Sequence, residues 1–286
     1  MQNLSNIGVI KDILHRHGFS FSKGLGQNFL INPSVCPRMA EMGNAQPGWG
    51  IIEIGAGFGV LTAELAQRAD KVVCVEIDSR LLPILDETLH DFDNIKIINQ
   101  DVLKVDLAQL IRDEFPGMKV AVCANLPYYI TSPIIMNILE AKLPIESLTV
   151  MVQKEAAQRI CAVPGSREVG AVSIAVQYYA RPQILFPVSR GSFMPAPDVD
   201  SAVIRLDILS EPSVAVRKEE DFFRVVKGAF SQRRKTLSNT LSSAFKMDKP
   251  SVNQWLERAG VSPSLRAEQL SMEQFAAISN SLTENE

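Results

Sequence analysis

A chain of 286 residues with 46% hydrophobic and 21% charged residues has the composition of a globular protein, which excludes the disordered and fibrous classes. The formal net charge of −3 argues against a polyanion bound over the whole surface. The sequence shows neither a signal-peptide pattern nor an apolar run of membrane-spanning length, and its four cysteines form no CxxC pair. We therefore expect a cytoplasmic protein without a membrane segment, a disulfide framework or a metal ion.

Five short apolar runs alternate with helical patterns in the first part of the chain. They predict strands at residues 50–54, 71–76, 95–99, 120–124 and 148–152. Apolar strands that alternate with helices indicate a mostly parallel sheet that helices cover on both faces. This is the doubly wound, Rossmann-like α/β class, in which a ligand binds beyond the carboxyl ends of the strands.

Two longer runs follow Gly170. Residues 171–179 and 201–209 are predicted as the sixth and seventh strands, and a Pro-rich stretch at 186–197 connects them. The α/β domain would then span residues 1–209 and contain a seven-stranded sheet.

The remaining chain has a different pattern. A polar stretch at 210–218 is typical of a linker, and helical patterns follow around residues 222–245, 251–259 and 271–282. We predict that residues 210–286 form a small C-terminal helical domain.

A glycine cluster, Gly55-x-Gly57-x-Gly59, follows the first predicted strand at the start of a helix. Glycines there bring a ligand close to the backbone and to the free N–H groups of the helix start. The spacing departs from the GxGxxG fingerprint of dinucleotide sites. Glu76 and Asp101 end the next two strands, where carboxylates would accept the hydroxyls of a ribose and the amino group of an adenine. Each feature alone is as well explained by a turn or a helix cap, but together they favour a nucleoside with a small charged tail.

Asn125-Leu126-Pro127-Tyr128 follows the fourth predicted strand. An isolated motif of this kind is ordinarily a proline turn with a packed aromatic ring. At this strand end, the Asn125 side-chain carbonyl and the Leu126 backbone carbonyl would accept both N–H bonds of an adenine amino group and make its nitrogen more nucleophilic. Tyr128 offers a face for a flipped base. The motif thus fits attack by an amine on the methyl group of a sulfonium.

Four segments of the chain resemble the ribosomal RNA adenine dimethyltransferase family, and in particular its branch that modifies small-subunit (16S) rRNA. They are Glu53-x-Gly55-x-Gly57-x-Gly59 together with Asn125-Leu126-Pro127-Tyr128, then Leu25-Gly26-Gln27-Asn28-Phe29-Leu30, and Phe193-Met194-Pro195-Ala196-Pro197-Asp198-Val199-Asp200-Ser201. The segment Ser231 to Leu237 is also typical of this branch.

The resemblance implies a class I methyltransferase that uses S-adenosylmethionine. It implies that Asn28, Leu30 and Asn125 contact this methyl donor, and that Phe193 helps to sandwich the target base. It further implies dimethylation of two adjacent adenosines in a hairpin near the 3′ end of the rRNA, in a pre-assembled small subunit, with a role in subunit biogenesis. No obligate protein partner is inferred.

Charge is distributed unevenly along the chain. Residues 51–115 contain thirteen acidic and six basic residues, whereas residues 222–249 contain seven basic residues and one acidic residue. RNA is therefore expected to bind the C-terminal part, although a charged stretch of this kind is more often a solvated helix face. The candidate RNA-binding residues are Arg224, Lys227, Arg233, Arg234 and Lys235. On a continuous helix, Arg224 and Lys227 would share one face, and residues 233–235 would spread over a broader arc.

Other functions stay open at the level of the sequence. Relatives that dimethylate large-subunit (23S) rRNA and confer antibiotic resistance share the motifs. An Asn-x-Pro-aromatic turn also serves DNA and protein amide methyltransferases. A mainly non-catalytic ribosome-assembly factor would retain the same fold, although the intact Asn125 and Tyr128 argue against lost activity.

Overall fold

The computed structural model describes residues 6–22 and 26–282, so Leu25 of the N-terminal motif lies outside the described residues. The strands in chain order are β1 (Phe29–Leu30), β2 (Trp49–Ile54), β3 (Lys71–Glu76), β4 (Ile95–Asn99), β5 (Lys119–Asn125), β6 (Ser147–Gln153), β7 (Ala180–Val188), β8 (Phe193–Met194) and β9 (Ser201–Ile208). The helices are α1 (Ile7–Arg16), α2 (Val35–Met42), α3 (Val60–Ala66), α4 (Leu82–Thr88), α5 (Leu107–Glu114), α6 (Thr131–Glu140), α7 (Lys154–Ile160), α8 (Ala171–Tyr179), α9 (Glu219–Ala229), α10 (Leu237–Phe245), α11 (Lys249–Arg258) and α12 (Met272–Asn280).

Seven strands of the described chain form one sheet in the order β4-β3-β2-β5-β6-β9-β7. The neighbours from β4 to β6 are parallel, and β9 pairs with β6 in the antiparallel direction. The predicted mostly parallel, doubly wound sheet of seven strands is confirmed. The chain winds outward in one direction through β3 and β4 and in the other through β5 and β6. The point of reversal, between β2 and β5, is where folds of this class bind their ligands.

The central strands are buried on both faces. Consecutive residues such as Val72 and Val73 in β3, or Ala121 and Val122 in β5, are all 0% exposed. Adjacent side chains of a strand point to opposite faces of the sheet, so burial of both neighbours requires a covering layer on each side. The continuous apolar runs of the sequence follow from this requirement.

The predicted strand at residues 171–179 is wrong, because these residues form α8. The Gly170 N–H donates to the Ser173 hydroxyl at 3.0 Å, which stabilises the first turn of the helix. The additional strand of the sheet is β7, which starts directly after α8 and takes in the beginning of the predicted Pro-rich connection. The run predicted at 201–209 is a strand, as expected.

The helical pattern predicted around residues 222–245 is interrupted. It divides into α9 and α10, and residues 230–236 form the turn between them. The two helices approach closely at Gly228, where an added Cβ would lie 2.9 Å from the Cβ of Ala244. The assumption of one continuous helix is therefore wrong, and residues 233–235 lie in the turn.

Contacts between residues divide the chain into two compact units. One comprises residues up to Ala157 together with Gln183–Ile208, and the other comprises Gln158–Pro182 together with the chain from Leu209 onward. The division into domains predicted at residue 209 stays a prediction, and in the contact grouping residues 158–182 and the chain from Leu209 onward belong to the same unit. Within residues 6–22 and 26–282, no helix has the length and apolar character needed to span a bilayer.

Candidate active site

A cavity that is open to solvent lies at the carboxyl ends of β2, β3 and β5. The residues predicted to bind the methyl donor all line it: Asn28, Leu30, Gly55, Gly57, Glu76, Asp101 and Asn125. The segment Asn125–Tyr128, predicted to hold the target adenine, is called the target motif, and its residues Leu126 and Tyr128 line the same cavity. The fold therefore brings the donor residues and most of the target residues together in one place.

The glycine cluster forms a turn that only glycine accommodates well. Gly55 has a φ of +78° and Gly57 a φ of +58°, in the left-handed region that side chains disfavour. A Cβ added at Gly55 would meet no heavy atom within 4 Å and would project into open space. A Cβ added at Gly57 would lie 3.1 Å from the ring of Phe29. The turn thus leaves backbone exposed to a ligand while the N-terminal motif packs against it.

Glu76 is a buried acceptor at the end of β3. It is 4% exposed, and burial raises the pKa of its carboxyl above the ordinary value. Its Oε2 accepts a hydrogen bond from the Gly57 N–H at 3.1 Å, and its Oε1 accepts one from the Asp78 N–H at 2.9 Å. Each carboxylate oxygen has a second lone pair for a further donor, which suits two neighbouring hydroxyl groups.

A hydrogen-bond network that the sequence did not indicate connects the N-terminal motif to this region. Gln27 Nε2 donates to Asp78 Oδ2 at 2.8 Å, and the Arg80 guanidinium donates to both carboxylate oxygens of Asp78. The bonds from Arg80 are the main cause that lowers the pKa of the Asp78 carboxyl. A charged Asp78 therefore holds Gln27, the neighbour of Asn28. Asp78 lies two residues after Glu76, but only the fold pairs it with Gln27.

Asp101 combines both roles considered for it. Its Oδ1 accepts a hydrogen bond from the Leu103 N–H at 3.1 Å and caps the short helical turn Val102–Lys104. The same side chain lines the cavity and is partly exposed. A carboxylate has about four lone-pair sites, so the capping bond leaves acceptor capacity for a ligand.

The target motif begins where β5 ends. The Nδ2 of Asn125 lies 3.5 Å from the Asn28 carbonyl oxygen, so the side-chain Oδ1 of Asn125 faces away from Asn28. Leu126 is 2% exposed and anchors the turn in the core. Tyr128 is partly buried, which raises the pKa of its phenol, and its hydroxyl oxygen lies 2.7 Å from Ser201 Oγ.

Phe193 stands apart from the other predicted site residues. It does not belong to the cavity lining among the described residues, and its side chain is 3% exposed in the hydrophobic core. It pairs with Leu30 where β8 runs antiparallel to β1. In this structure Phe193 supports the strand that carries Leu30, and its stacking on a target base stays a prediction.

The cavity fits a nucleoside-type methyl donor better than a metal ion. A buried carboxylate with spare acceptor sites, a second carboxylate at the next strand end and a glycine turn with open space above it are complementary to a ribose, an adenine and a close backbone contact. Within the described part of the chain, no group of three or more His, Cys, Asp or Glu side chains is placed to hold a metal ion.

The predicted RNA-binding residues are all exposed but belong to two different elements: Arg224, Lys227, Arg233, Arg234 and Lys235. The first two lie on α9, where the Arg224 guanidinium stands 4.3 Å over the ring of Phe245. The other three lie in the turn of residues 230–236, where Arg233 Nη2 donates to the Arg167 carbonyl at 2.5 Å. The turn therefore presents three adjacent cations on a short, tethered segment.

This sheet, with a glycine turn after its first parallel strand and acidic residues after the next two, defines an S-adenosylmethionine-dependent class I methyltransferase. The model of the ribosomal RNA adenine dimethylase family matches residues 18–284, and the chain belongs to this family. The matched region includes the residues that line the cavity and also the turn of residues 230–236, called the basic turn because it carries Arg233, Arg234 and Lys235.

Curated relatives cover nearly the whole chain. A ribosomal RNA small subunit methyltransferase A from Alkaliphilus oremlandii is 48% identical over 283 residues, which are 99% of this chain and 99% of the relative. Another from Geobacillus thermodenitrificans is 49% identical over 285 residues, 98% of this chain and 97% of the relative.

Solved structures repeat the fold. The 23S rRNA methyltransferase ErmE is 30% identical, with a TM-score of 0.67 over 89% of this chain and 99% of that chain. A dimethyladenosine transferase from Plasmodium falciparum has a TM-score of 0.68 at 24% identity, over 87% of this chain and 95% of that chain.

Proposed function

We propose that this protein transfers methyl groups from S-adenosylmethionine to the N6 amino groups of two adjacent adenosines in a hairpin near the 3′ end of small-subunit (16S) rRNA, to give N6,N6-dimethyladenosine. The observation that carries the proposal is that Asn125, Leu126 and Tyr128 open into the same cavity as Glu76 and the glycine turn. The acceptors for an adenine amine and those for a nucleoside donor thus share one cavity.

The residues of the target motif act mainly by orientation. The Asn125 Oδ1 and the Leu126 carbonyl accept the two N–H bonds of the adenine amino group and direct its lone pair. Tyr128 supports the flipped base by stacking, which is worth about 1–3 kcal/mol per base. S-adenosylmethionine supplies a methyl group that the positive sulfonium has already activated. With the methyl acceptor held in line, the N–C bond would form as the S–C bond breaks, and S-adenosylhomocysteine would leave with the electron pair of that bond. The methylated nitrogen, then cationic and acidic, would release its proton to water, so correct geometry replaces the need for a strong base.

Glu76 and Asp101 hold the donor side. Two spare acceptor sites on Glu76 receive the ribose hydroxyls, and the remaining capacity of Asp101 receives the adenine amino group. Asn28 and Leu30 contact the donor from the N-terminal motif, which Gln27 fastens to Asp78.

Small-subunit rRNA is the substrate that the relatives favour. The curated relatives at 48% and 49% identity carry a small-subunit name, whereas ErmE, named for 23S rRNA, is 30% identical. We propose further that the protein acts in the cytoplasm on a pre-assembled small subunit, needs no obligate protein partner and contributes to subunit biogenesis. Four free cysteines are consistent with a reducing compartment.

The test is single-turnover methylation of small-subunit particles that lack the modification, followed by mapping of the methylated nucleotides. Asn125→Ala should lose most of its methylation rate and keep its affinity for S-adenosylmethionine comparatively intact, because the Asn125 carbonyl acts on the target amine. Asn137→Ala, which removes an exposed asparagine from α6, is the matched control and should methylate at the normal rate. A normal rate for Asn125→Ala would refute the mechanism. Methylation of 23S rRNA, DNA or protein by the wild type, with small-subunit rRNA unmodified, would refute the substrate.

A further inference from the structure

The hydroxyl of Tyr128 is connected to a part of the chain that lies 73 residues further on. Its oxygen is 2.7 Å from Ser201 Oγ. Ser201 is 0% exposed and is the first residue of β9, where it pairs with Gln153 of β6. A serine held in the ladder of a sheet has little freedom to move. The contact therefore joins a loop residue to a rigid anchor.

The backbone that leads into Ser201 is also held. The Lys154 N–H donates to the Asp200 carbonyl at 3.0 Å, and the Arg190 N–H donates to Asp200 Oδ1 at 2.9 Å. Earlier in the same segment, Phe193 pairs with Leu30 of the N-terminal motif. The segment from Arg190 to Ser201 thus contacts the donor side of the cavity at one end and the target side at the other.

We propose that Ser201 is a positioning residue for methyl transfer, which acts by fixing the ring of Tyr128 through this hydrogen bond. The proposal rests on the proposed function, in which the Tyr128 ring supports the target base. A tyrosine ring turns about two side-chain bonds. Because the hydroxyl oxygen lies on the axis of the second bond, a hydrogen bond at the hydroxyl restricts rotation about the first bond and fixes the direction in which the ring points. Pre-organisation of a supporting ring accelerates a reaction that depends on orientation, because a misplaced base seldom reaches the reacting geometry.

The alternative is that Ser201 only satisfies a buried hydroxyl. Buried polar groups are nearly always hydrogen-bonded, so a bond that serves stability only is the competing account. The neighbouring Tyr129 is 60% exposed, whereas Tyr128 is partly buried and hydrogen-bonded to Ser201. A purely structural bond would change stability without changing the order of the target loop or the stacking of the base.

A double-mutant cycle separates the two accounts. Ser201→Ala and Tyr128→Phe remove the same hydrogen bond from opposite sides, and both keep an aromatic ring at position 128. Each single variant should lower the single-turnover methylation rate about two- to tenfold, the range expected for one hydrogen bond. The double variant should be no slower than the slower single variant, since only one bond exists to be lost. Affinity for S-adenosylmethionine should stay unchanged in all three.

Two further measurements report on the ring itself. With 2-aminopurine in place of the target adenine, the fluorescence quenching on binding should be weaker in both single variants. Hydrogen exchange of the backbone amides at residues 128–131 should be faster in both variants without any RNA. Thr149→Val is the matched control, because Thr149 is 0% exposed in β6 and its hydroxyl has no hydrogen-bond partner within the described residues. Thr149→Val should match the wild type in methylation rate, in fluorescence quenching and in hydrogen exchange.

The outcomes distinguish this proposal from the proposed function. A wild type that does not methylate small-subunit rRNA refutes the function, while hydrogen exchange still tests the tether. A wild type that methylates, together with wild-type rates and exchange in Ser201→Ala, overturns the role of Ser201. Additive rate losses in the double variant would overturn it as well. If Ser201→Ala does not fold, Tyr128→Phe tests the same bond without altering the core.

Discussion

Two buried glutamates in neighbouring strands differ in what they bond to. Glu76 accepts hydrogen bonds from the backbone N–H groups of Gly57 and Asp78 and lines the cavity with spare acceptor sites. Glu53 is 1% exposed, and its Oε2 accepts from the Thr62 hydroxyl at 2.6 Å and from the Cys74 thiol at 3.3 Å. Backbone N–H donors lower the pKa of the Glu76 carboxyl and partly offset the effect of its burial. The hydroxyl and thiol donors at Glu53 leave its burial poorly compensated.

The arrangement of Glu76 predicts a loss of donor binding in Glu76→Gln. The amide keeps one acceptor oxygen, and its NH₂ group would face a backbone N–H that now has no acceptor. A lost charge-assisted bond costs about 1.5–3 kcal/mol, so the Kd for S-adenosylmethionine should rise about ten- to a hundredfold. Isothermal calorimetry measures this directly. Glu64→Gln, which removes a carboxylate that pairs with Arg68 outside the cavity lining, should bind normally. Equal affinities for the two variants would remove Glu76 from the donor site.

The environment of Glu53 predicts a pH-dependent stability. Burial raises the pKa of its carboxyl to about 7 from an ordinary value of 4.5. The folded state therefore holds this proton more tightly than the unfolded state, and the corresponding stability is present below pH 4.5 and is lost as the pH rises through about 7. Glu53→Gln stays neutral at both pH values. Compared with the wild type, its free energy of unfolding should therefore gain on the order of 3 kcal/mol between pH 4.5 and pH 8. Urea unfolding of both proteins at the two pH values measures the difference.

Glu87 provides a control, because its effect on stability should change with pH in the opposite direction. Hydrogen bonds from His17 and Arg16 lower the pKa of the Glu87 carboxyl. Its contribution to stability is therefore present above the ordinary pKa and is lost as the pH falls. Glu87→Gln should be less stable than the wild type at pH 7 and should approach it in acid. If Glu53→Gln showed the same pH trend as Glu87→Gln, the uncompensated burial of Glu53 would be disproved.

The strands could be predicted from the sequence where the sheet is buried on both faces. Runs such as 71–76 are continuous and apolar, and they end in an acidic residue at the edge of the sheet, so the run and its end are both visible in the sequence. The positions of Gly55, Glu76 and Asn125 around one cavity followed from this, because parallel strands share their carboxyl edge.

Residues 171–179 could not be assigned in the same way. A short apolar run with β-branched residues is compatible with a strand or with a buried helix, and periodicity does not decide between them. The decision depends on partners distant in sequence: Tyr178 stacks on Phe222 at 4.8 Å between ring centroids, and Tyr179 stacks on Phe223 at 5.6 Å. These contacts pack α8 against α9 and have no local signal.

The same limit applies within the candidate site. Single residues at strand ends were found from their positions, but the bonds that join them were not. Gln27 with Asp78 and Tyr128 with Ser201 are pairs that only the folded chain brings together. The burial of Phe193 is a further example, since its motif identifies it while the β1–β8 pairing decides where its side chain lies.

The net charge of −3 conceals an acidic region at residues 51–115 and a basic region at residues 222–249. The basic turn carries Arg233, Arg234 and Lys235 as exposed neighbours, and Arg233 is tethered to the Arg167 carbonyl. A short tethered segment loses less conformational freedom on binding than a mobile one, so its charges suit contact with an RNA backbone. Such contacts position the protein on the RNA and do not read sequence.

Replacement of these three residues by Ala should therefore weaken binding to small-subunit particles and reduce its salt dependence. Each phosphate contact that is lost should flatten the plot of log affinity against log salt concentration by about 0.7–0.9. Affinity for S-adenosylmethionine should not change, because the turn contributes no residue to the cavity lining. Binding of wild type and variant across a salt series measures both the affinity and the slope.

The control must remove equal charge from another exposed site. The exposed basic residues Lys96, Arg112 and Lys119 belong to the compact unit that contains the cavity. Replacement of all three by Ala changes the net charge as much as replacement of residues 233–235 does. Long-range attraction by net charge alone would flatten the slope equally in both triple variants. Direct phosphate contact would flatten it only when the turn is altered. Parallel lines for the wild type and the turn variant would mean that residues 233–235 do not touch phosphate and form a solvated surface.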